Sequence, residues 1–209
     1  MFIKSLVVGP LQVNCYIIGD VESRKSMVID PGDEPDRILD VIKEKDFTVD
    51  YVVCTHGHFD HVGAVSDIKK ETGGKVVLNR EEMEIYEAAR DMAAFWGFDI
   101  DPLPDPDLFV SEGDLISVGS LEFKVFASPG HSPGGICLYR EGLVITGDTL
   151  FAGSIGRTDF HGGSMSLIGQ SFRRLMELPA DTRVLSGHGP VTTIGHEKKF
   201  NMFSAQFLR

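Results

Sequence analysis

The chain has 209 residues, a length that suits one full domain. It is 42% hydrophobic and 24% charged, and its formal net charge of −11 argues against a nucleic-acid partner, whose phosphates need a basic face. No apolar run approaches membrane-spanning length, and the opening "MFIKSLVVGPLQ" is broken too early by Gly9-Pro10 to be a targeting segment, so no membrane partner is expected.

The first elements are strands. "FIKSLVVG", "NCYIIGD" and "KSMVID" are short β-branched runs separated by turn residues, and they predict an antiparallel meander. "PGDEPDRILDVIKEKD" predicts a helix capped by Asp33 or Glu34, with Pro35 in its first turn and an apolar stripe of Ile38, Leu39, Val41 and Ile42. "YVVCT" reads as a buried central strand, "HVGAVSDIKKETGG" as a helix closed by a double glycine, and "KVVLN" as another strand. "REEMEIYEAARDMAAFWG" follows as an amphipathic helix, with Met83, Tyr86, Ala89, Met92 and Ala93 at helical spacing. The proline-rich acidic stretch "FDIDPLPDPD" is too brief to divide two domains and reads as a surface loop.

From Leu115 the strands resume as "LISVG", "LEFKVFAS", "GICLYRE" and "LVITGD". A helix "SLIGQSFRRLMEL", a strand "RVLSG" and a closing helix near "EKKFNMFSAQFL" complete the chain. Two β-rich halves, each followed by helices, predict an α/β protein: an αββα sandwich of two mixed β-sheets flanked by helices, in a single domain over 1–209. Cys15, Cys54 and Cys137 form no CxxC pair and read as small buried strand residues. Their odd number and the lack of a signal peptide point to a reducing cytoplasm.

The chemistry lies in "CTHGHFDHVG". His56, His58, Asp60 and His61 fall within six positions at the end of an apolar strand, where α/β folds place their functional loops. His56 and His58 are two apart and share a direction if the backbone is extended, whereas Asp60 and His61 belong to the next turn. That spacing suits two metal ions better than one. Closed structural zinc sites would need more cysteine or histidine in four-ligand sets. The remaining ligands must come from elsewhere, and three candidates share one context. His131 follows "FKVFASPG", Asp148 follows "LVITG" and His188 follows "RVLSG", each where an apolar strand meets glycine. His56, His58 and His131 could hold one ion, and Asp60, His61 and His188 the other, with Asp148 bridging them. Each ion would keep an open position, the mark of a catalytic site. His161 and His196 are expected to be a loop residue and a helix-start residue outside the ligand set.

The set "THGHFDH", "SPGHSPGG", "TGDTLF" and "SGHGP", in this order, resembles the metallo-β-lactamase superfamily along essentially the whole chain. Within it the chain is most similar to the glyoxalase II-like, hydroxyacylglutathione hydrolase-like branch, through "NCY" near the start and "GSIGRTDF". The resemblance implies the αββα fold and a dinuclear site, with two divalent ions, usually Zn2+, with Fe or Mn as alternatives. Standard glyoxalase II enzymes carry a C-terminal helical extension that holds glutathione. Here only Lys198, Lys199 and Arg209 are basic after His188, which resembles a compact form without that extension.

The expected reaction is hydrolysis of a small-molecule thioester such as S-lactoylglutathione. A water bridging the ions would have its pKa lowered towards neutrality. Asp60 is expected to orient that water as well as bind metal. Arg157, in "SIGRTD", is a candidate to hold a substrate carboxylate, against a structural pairing with Asp159. The alternatives are a mononuclear iron persulfide dioxygenase, with Fe(II) on His56, His131 and Asp148, and a lactonase or β-lactamase on the same residues.

Overall fold

The computed structural model describes residues 1–208, so Arg209 lies outside the described residues. Three strands open the chain: β1 (Phe2–Val8), β2 (Val13–Gly19) and β3 (Lys25–Ile29), paired antiparallel as the meander requires. α1 (Pro35–Glu44), β4 (Thr48–Val53), α2 (Phe59–Val62), α3 (Val65–Thr72) and β5 (Lys75–Asn79) follow. A 3-10 turn at Arg80–Glu82 leads into α4 (Met83–Phe95), and β6 (Leu108–Val110) closes a six-stranded sheet in the order β1-β2-β3-β4-β5-β6. From β3 to β6 the strands are parallel. Parallel strands buried on both faces need near-continuous apolar runs, which "YVV" and "KVVL" provide. Parallel pairing also brings the C-terminal ends of β3 and β4 to one edge, where Asp30 and the histidine motif begin. Ile17, Val28, Ile38, Val52, Ile68 and Leu78 form the heart of the core between this sheet and its helices.

A second sheet contains β7 (Leu115–Val118), β8 (Leu121–Ala127), β9 (Ile136–Arg140), β10 (Leu143–Gly147), β13 (Arg183–Ser186) and β14 (Thr192–Thr193), in the order β14-β13-β10-β9-β8-β7. The small hairpin β11 (Leu150–Phe151) and β12 (Ser154–Ile155) follows β10, and α5 (Met165–Leu175) forms the crossover to β13. Because β10 and β13 are parallel, their C-terminal ends also share an edge, and these ends carry Asp148 and His188. α6 (Ile194–Phe200) and α7 (Ser204–Phe207) finish the chain. Ile168, Phe172 and Leu175 of α5 pack with Val144, Val184 and Phe207. The fold is therefore two mixed sheets with flanking helices, as the order of apolar runs predicts. By contact density, residues 1–110 with 116–122 form one compact unit and residues 111–115 with 123–209 another.

Several local expectations are corrected. Neither Asp33 nor Glu34 caps α1 with its side chain; Glu34 sits at the N-cap in the left-handed region (φ 52°), and Pro35 starts the helix. The helix expected after the histidines is two, broken at Gly63-Ala64, and the closing helix is likewise broken around Met202. On α4 the buried face is Tyr86, Ala89 and Ala93, while Met92 is 43% exposed. Strands of two or three residues (β6, β11, β12, β14) are too short to show a period.

All three cysteines are buried and free, and burial pushes each thiol upward, Cys137 to about 11. Thiolate is the reactive form, so none is poised to be a nucleophile or ligand. The native protein is expected to resist iodoacetamide at pH 7.5 and to take up three carbamidomethyl groups only once denatured, by intact mass.

Candidate metal centre

In the first unit β4 ends at Val53, and the chain turns through Thr55 so that His56 and His58 flank Gly57 before α2 begins at Phe59. The His56 ring centroid lies 4.8 Å from that of His58 and 4.1 Å from that of His61. His61 Nε2 is 3.8 Å from Asp60 Oδ2, too far for a hydrogen bond. The predicted separation of the motif into a strand-end pair and a helix-start pair is what the backbone shows, with His58 as the N-cap of α2.

Two acidic residues that sequence reasoning passed over hold this cluster. Asp30, buried at the end of β3, accepts from Thr55 N and Thr55 Oγ1, both at 2.7 Å, and from His61 Nδ1 at 3.0 Å. Thr55 Oγ1 also lies 3.1 Å from His56 Nδ1. A carboxylate only accepts, so His61 carries its proton on Nδ1; Thr55 gives its own proton to Asp30 and so accepts from His56 Nδ1. Both rings then present an unprotonated Nε2, the form a metal ligand takes. One ligand atom from each of Asp30, His56 and His61 lies within 4.8 Å of the others. Glu82, fully buried, accepts from Gly57 N at 2.9 Å. A Cβ on Gly57 would come within 2.8 Å of Tyr86 N, so the glycine lets the histidine turn pack on the start of α4.

In the second unit Asp148 lies between His131 and His188. Asp148 Oδ2 lies 3.6 Å from His131 Nε2 and 3.6 Å from His188 Nε2. Those spacings are too long for hydrogen bonds. They are close to the ~3.3–3.4 Å expected between two donors bonded at about 2.0–2.1 Å to one tetrahedral ion. His131 Nδ1 is 2.8 Å from the Arg157 carbonyl oxygen, which can only accept, so this ring too carries its proton on Nδ1 and has an unprotonated Nε2. On donor chemistry, both sets fit divalent metal ions.

The loop behind His131 is tight. A Cβ on Gly156 would fall 1.9 Å from the Asp148 carbonyl oxygen and 3.0 Å from His131 Nδ1. Gly156→Ala is expected to weaken metal retention at least tenfold and to lower the melting temperature, read by metal titration and calorimetry.

Arg157 is placed otherwise than a free anion clamp. Its guanidinium makes two bonds to Asp159, at 2.7 and 2.6 Å, and lies 4.0 Å from the Phe160 ring centroid. The pairing raises the Arg157 pKa and holds Asp159 at about 2. Since Asp159 is depressed, the pairing is present at neutral pH and lost only as pH falls towards 2. His161 is exposed in its loop, and His196 lies in the first turn of α6, whose N-cap Thr193 accepts from His196 N.

A model of the metallo-beta-lactamase superfamily matches residues 8–188, a span that contains every candidate ligand. The chain belongs to this superfamily. Among superfamily relatives it is similar to the hydroxyacylglutathione hydrolase GloC of Haemophilus influenzae, 36% identical over 97% of this chain and 98% of that one. Two solved superfamily structures are also similar. One is the BLEG-1 B3 metallo-beta-lactamase, with TM-score 0.90, 33% identity, and 97% and 99% of the two chains covered. The other is TTHA1623 in a di-iron-bound form, with TM-score 0.89, 38% identity, and 96% and 99% covered. No helix among the described residues is long and apolar enough to cross a membrane.

Proposed function

We propose that this chain is a cytoplasmic metal-dependent hydrolase, acting as one domain, that cleaves a thioester such as S-lactoylglutathione with two divalent ions, zinc in the first instance. The observation that carries the reading is the convergence of two histidine nitrogens on one Asp148 oxygen, alongside the His56–His58–Asp60–His61 cluster. The thioester class draws support from the Haemophilus influenzae relative, which bears that activity in its name. In this reading His56, His58 and His131 hold one ion, Asp60, His61 and His188 the other, and Asp148 both.

The ions, when bound, would supply Lewis acidity, bringing the pKa of water towards neutrality and stabilising oxyanion and thiolate charge. The side chains do the rest. Asp60, in the first turn of α2, orients the attacking water; oxygen adds to the carbonyl carbon, the C–S bond breaks, and a carboxylic acid and a thiol leave. Asp30 and Thr55 keep His56 and His61 in one tautomer, and the Arg157 carbonyl does so for His131. Arg157 binds a substrate carboxylate by exchanging it for Asp159, one bidentate partner for another.

The test is metal content of the protein purified without added metal, with turnover of S-lactoylglutathione. Two ions per chain and thioester cleavage are expected. One iron per chain with oxygen uptake on glutathione persulfide overturns the reading in favour of a dioxygenase. Faster cleavage of a β-lactam or lactone than of any thioester overturns the substrate class.

A further inference from the structure

A cavity of about 290 Å³ opens in the first unit beside the histidine motif, with Asp60 in its wall. That volume is at the small end of ligand pockets, roughly 300–1,000 Å³. Its apolar wall is built by Val8, Val13, Phe59, Phe98 and Ile100. Phe59 and Phe98 are stacked at 5.6 Å with an interplanar angle of 28°, so the aromatic surface is a fixed pair. Phe98 is anchored by its backbone N–H to Ala93 O at the end of α4. The first four residues of the acidic proline loop, Phe98 to Asp101, supply one wall of the cavity.

Away from Asp60 the charged side chains of the cavity are of one sign. Asp33, Asp67, Asp99 and Asp101 line the cavity beside Asp60, whose charge the metal reading assigns to an ion, and among the described residues no lysine, arginine or histidine lines it. Arg37 of α1 is committed to the Val7 carbonyl and to Glu34. Carboxylates around a low-dielectric wall focus a negative field into the opening. A ligand group carrying a carboxylate is repelled there. A cation on an apolar stem gains both the field and contact with the aromatic wall.

We propose that this cavity is a specificity subsite that takes the thiol arm of the substrate and selects a cationic group on a short apolar stem over an anionic one. The proposal rests on the thioester reading above, and it names the chemical class that the thiol arm presents. It also predicts that glutathione, with two carboxylates for one ammonium, is a poorer carrier than a thiol bearing only a cation.

Three thioesters with the same acyl group test it: butyrylthiocholine, the neutral butyryl-N-acetylcysteamine, and S-butyryl-3-mercaptopropionate. At low ionic strength kcat/KM is expected to fall in that order, by about tenfold or more from first to last, and the span to shrink in 0.5 M NaCl. Asp67→Asn/Asp99→Asn/Asp101→Asn, which leaves Asp60 intact, should compress the span at least threefold. An equal or reversed order overturns the proposal. A direct readout separates its failure from that of the thioester reading: calorimetric titration with choline, independent of turnover. Choline binding that weakens in the triple variant supports the subsite even if no thioester is cleaved. Choline binding with no preference among cleaved thioesters overturns the thiol-arm assignment, and absence of choline binding overturns the subsite.

Discussion

Asp148→Asn is expected to keep the fold, to hold less than half of the wild-type metal, and to lose on the order of 10³-fold or more in kcat/KM for a thioester. The substitution preserves shape and removes one charge. Asp148 follows Gly147 at the end of β10, where the pairing with β13 shifts register between Ile145 and Gly147. From that position Asp148 Oδ2 lies 3.6 Å from both histidine nitrogens. An amide in its place offers one neutral oxygen, which binds a hard divalent ion far less well, and its NH2 would point a donor at a ligand position. Because Asp148 is assigned to both ions, losing it should disturb both sites together rather than empty one. Metal analysis and far-UV circular dichroism on the same preparation check the result. Full metal content with activity within threefold of wild type would remove Asp148 from the site.

Three of the candidate ligands, His131, Asp148 and His188, were legible because each follows an apolar strand that meets glycine, and the parallel pairing of β10 with β13 brings two of those strand ends to one edge. The tight spacing of His56, His58, Asp60 and His61 needed no tertiary knowledge. Their supports were harder to read. Asp30 lies in "IDPGDEPD", an acid-rich turn where any one carboxylate resembles its neighbours, and its partner Thr55 is 25 residues away. Glu82 did leave a signal. It falls on the same helical face as Tyr86, Ala89 and Ala93, and a charge on an apolar face is a buried charge with a task. Counting Met92 into that face blurred the register that would have exposed it. The sequence likewise offered Arg157 two roles, and the ion pair to Asp159 supplies the resting one.

Asp30→Asn is expected to lower metal affinity by about 10–100-fold while moving the melting temperature by only a few degrees. Asp30 adopts φ 51°, a left-handed conformation that asparagine tolerates nearly as well as aspartate, so the backbone is kept. Alanine would pay for that conformation and leave Thr55 N and His61 Nδ1 without their buried acceptor, each at about 1–3 kcal/mol, confusing stability with function. In the asparagine variant Oδ1 can still accept from Thr55 N, and the amide NH2 then faces Thr55 Oγ1 and His61 Nδ1. A donor there drives the His61 proton from Nδ1 to Nε2, and a protonated Nε2 cannot bind metal. Through Thr55 Oγ1 the same reversal reaches His56 Nδ1. The defect is therefore one of tautomer, and it should be overcome by excess metal, with activity recovering at saturation. Imidazole 15N chemical shifts of the metal-free protein report the proton's position directly. An unchanged tautomer at His61, or a fall in melting temperature with metal affinity intact, would reduce Asp30 to a structural residue.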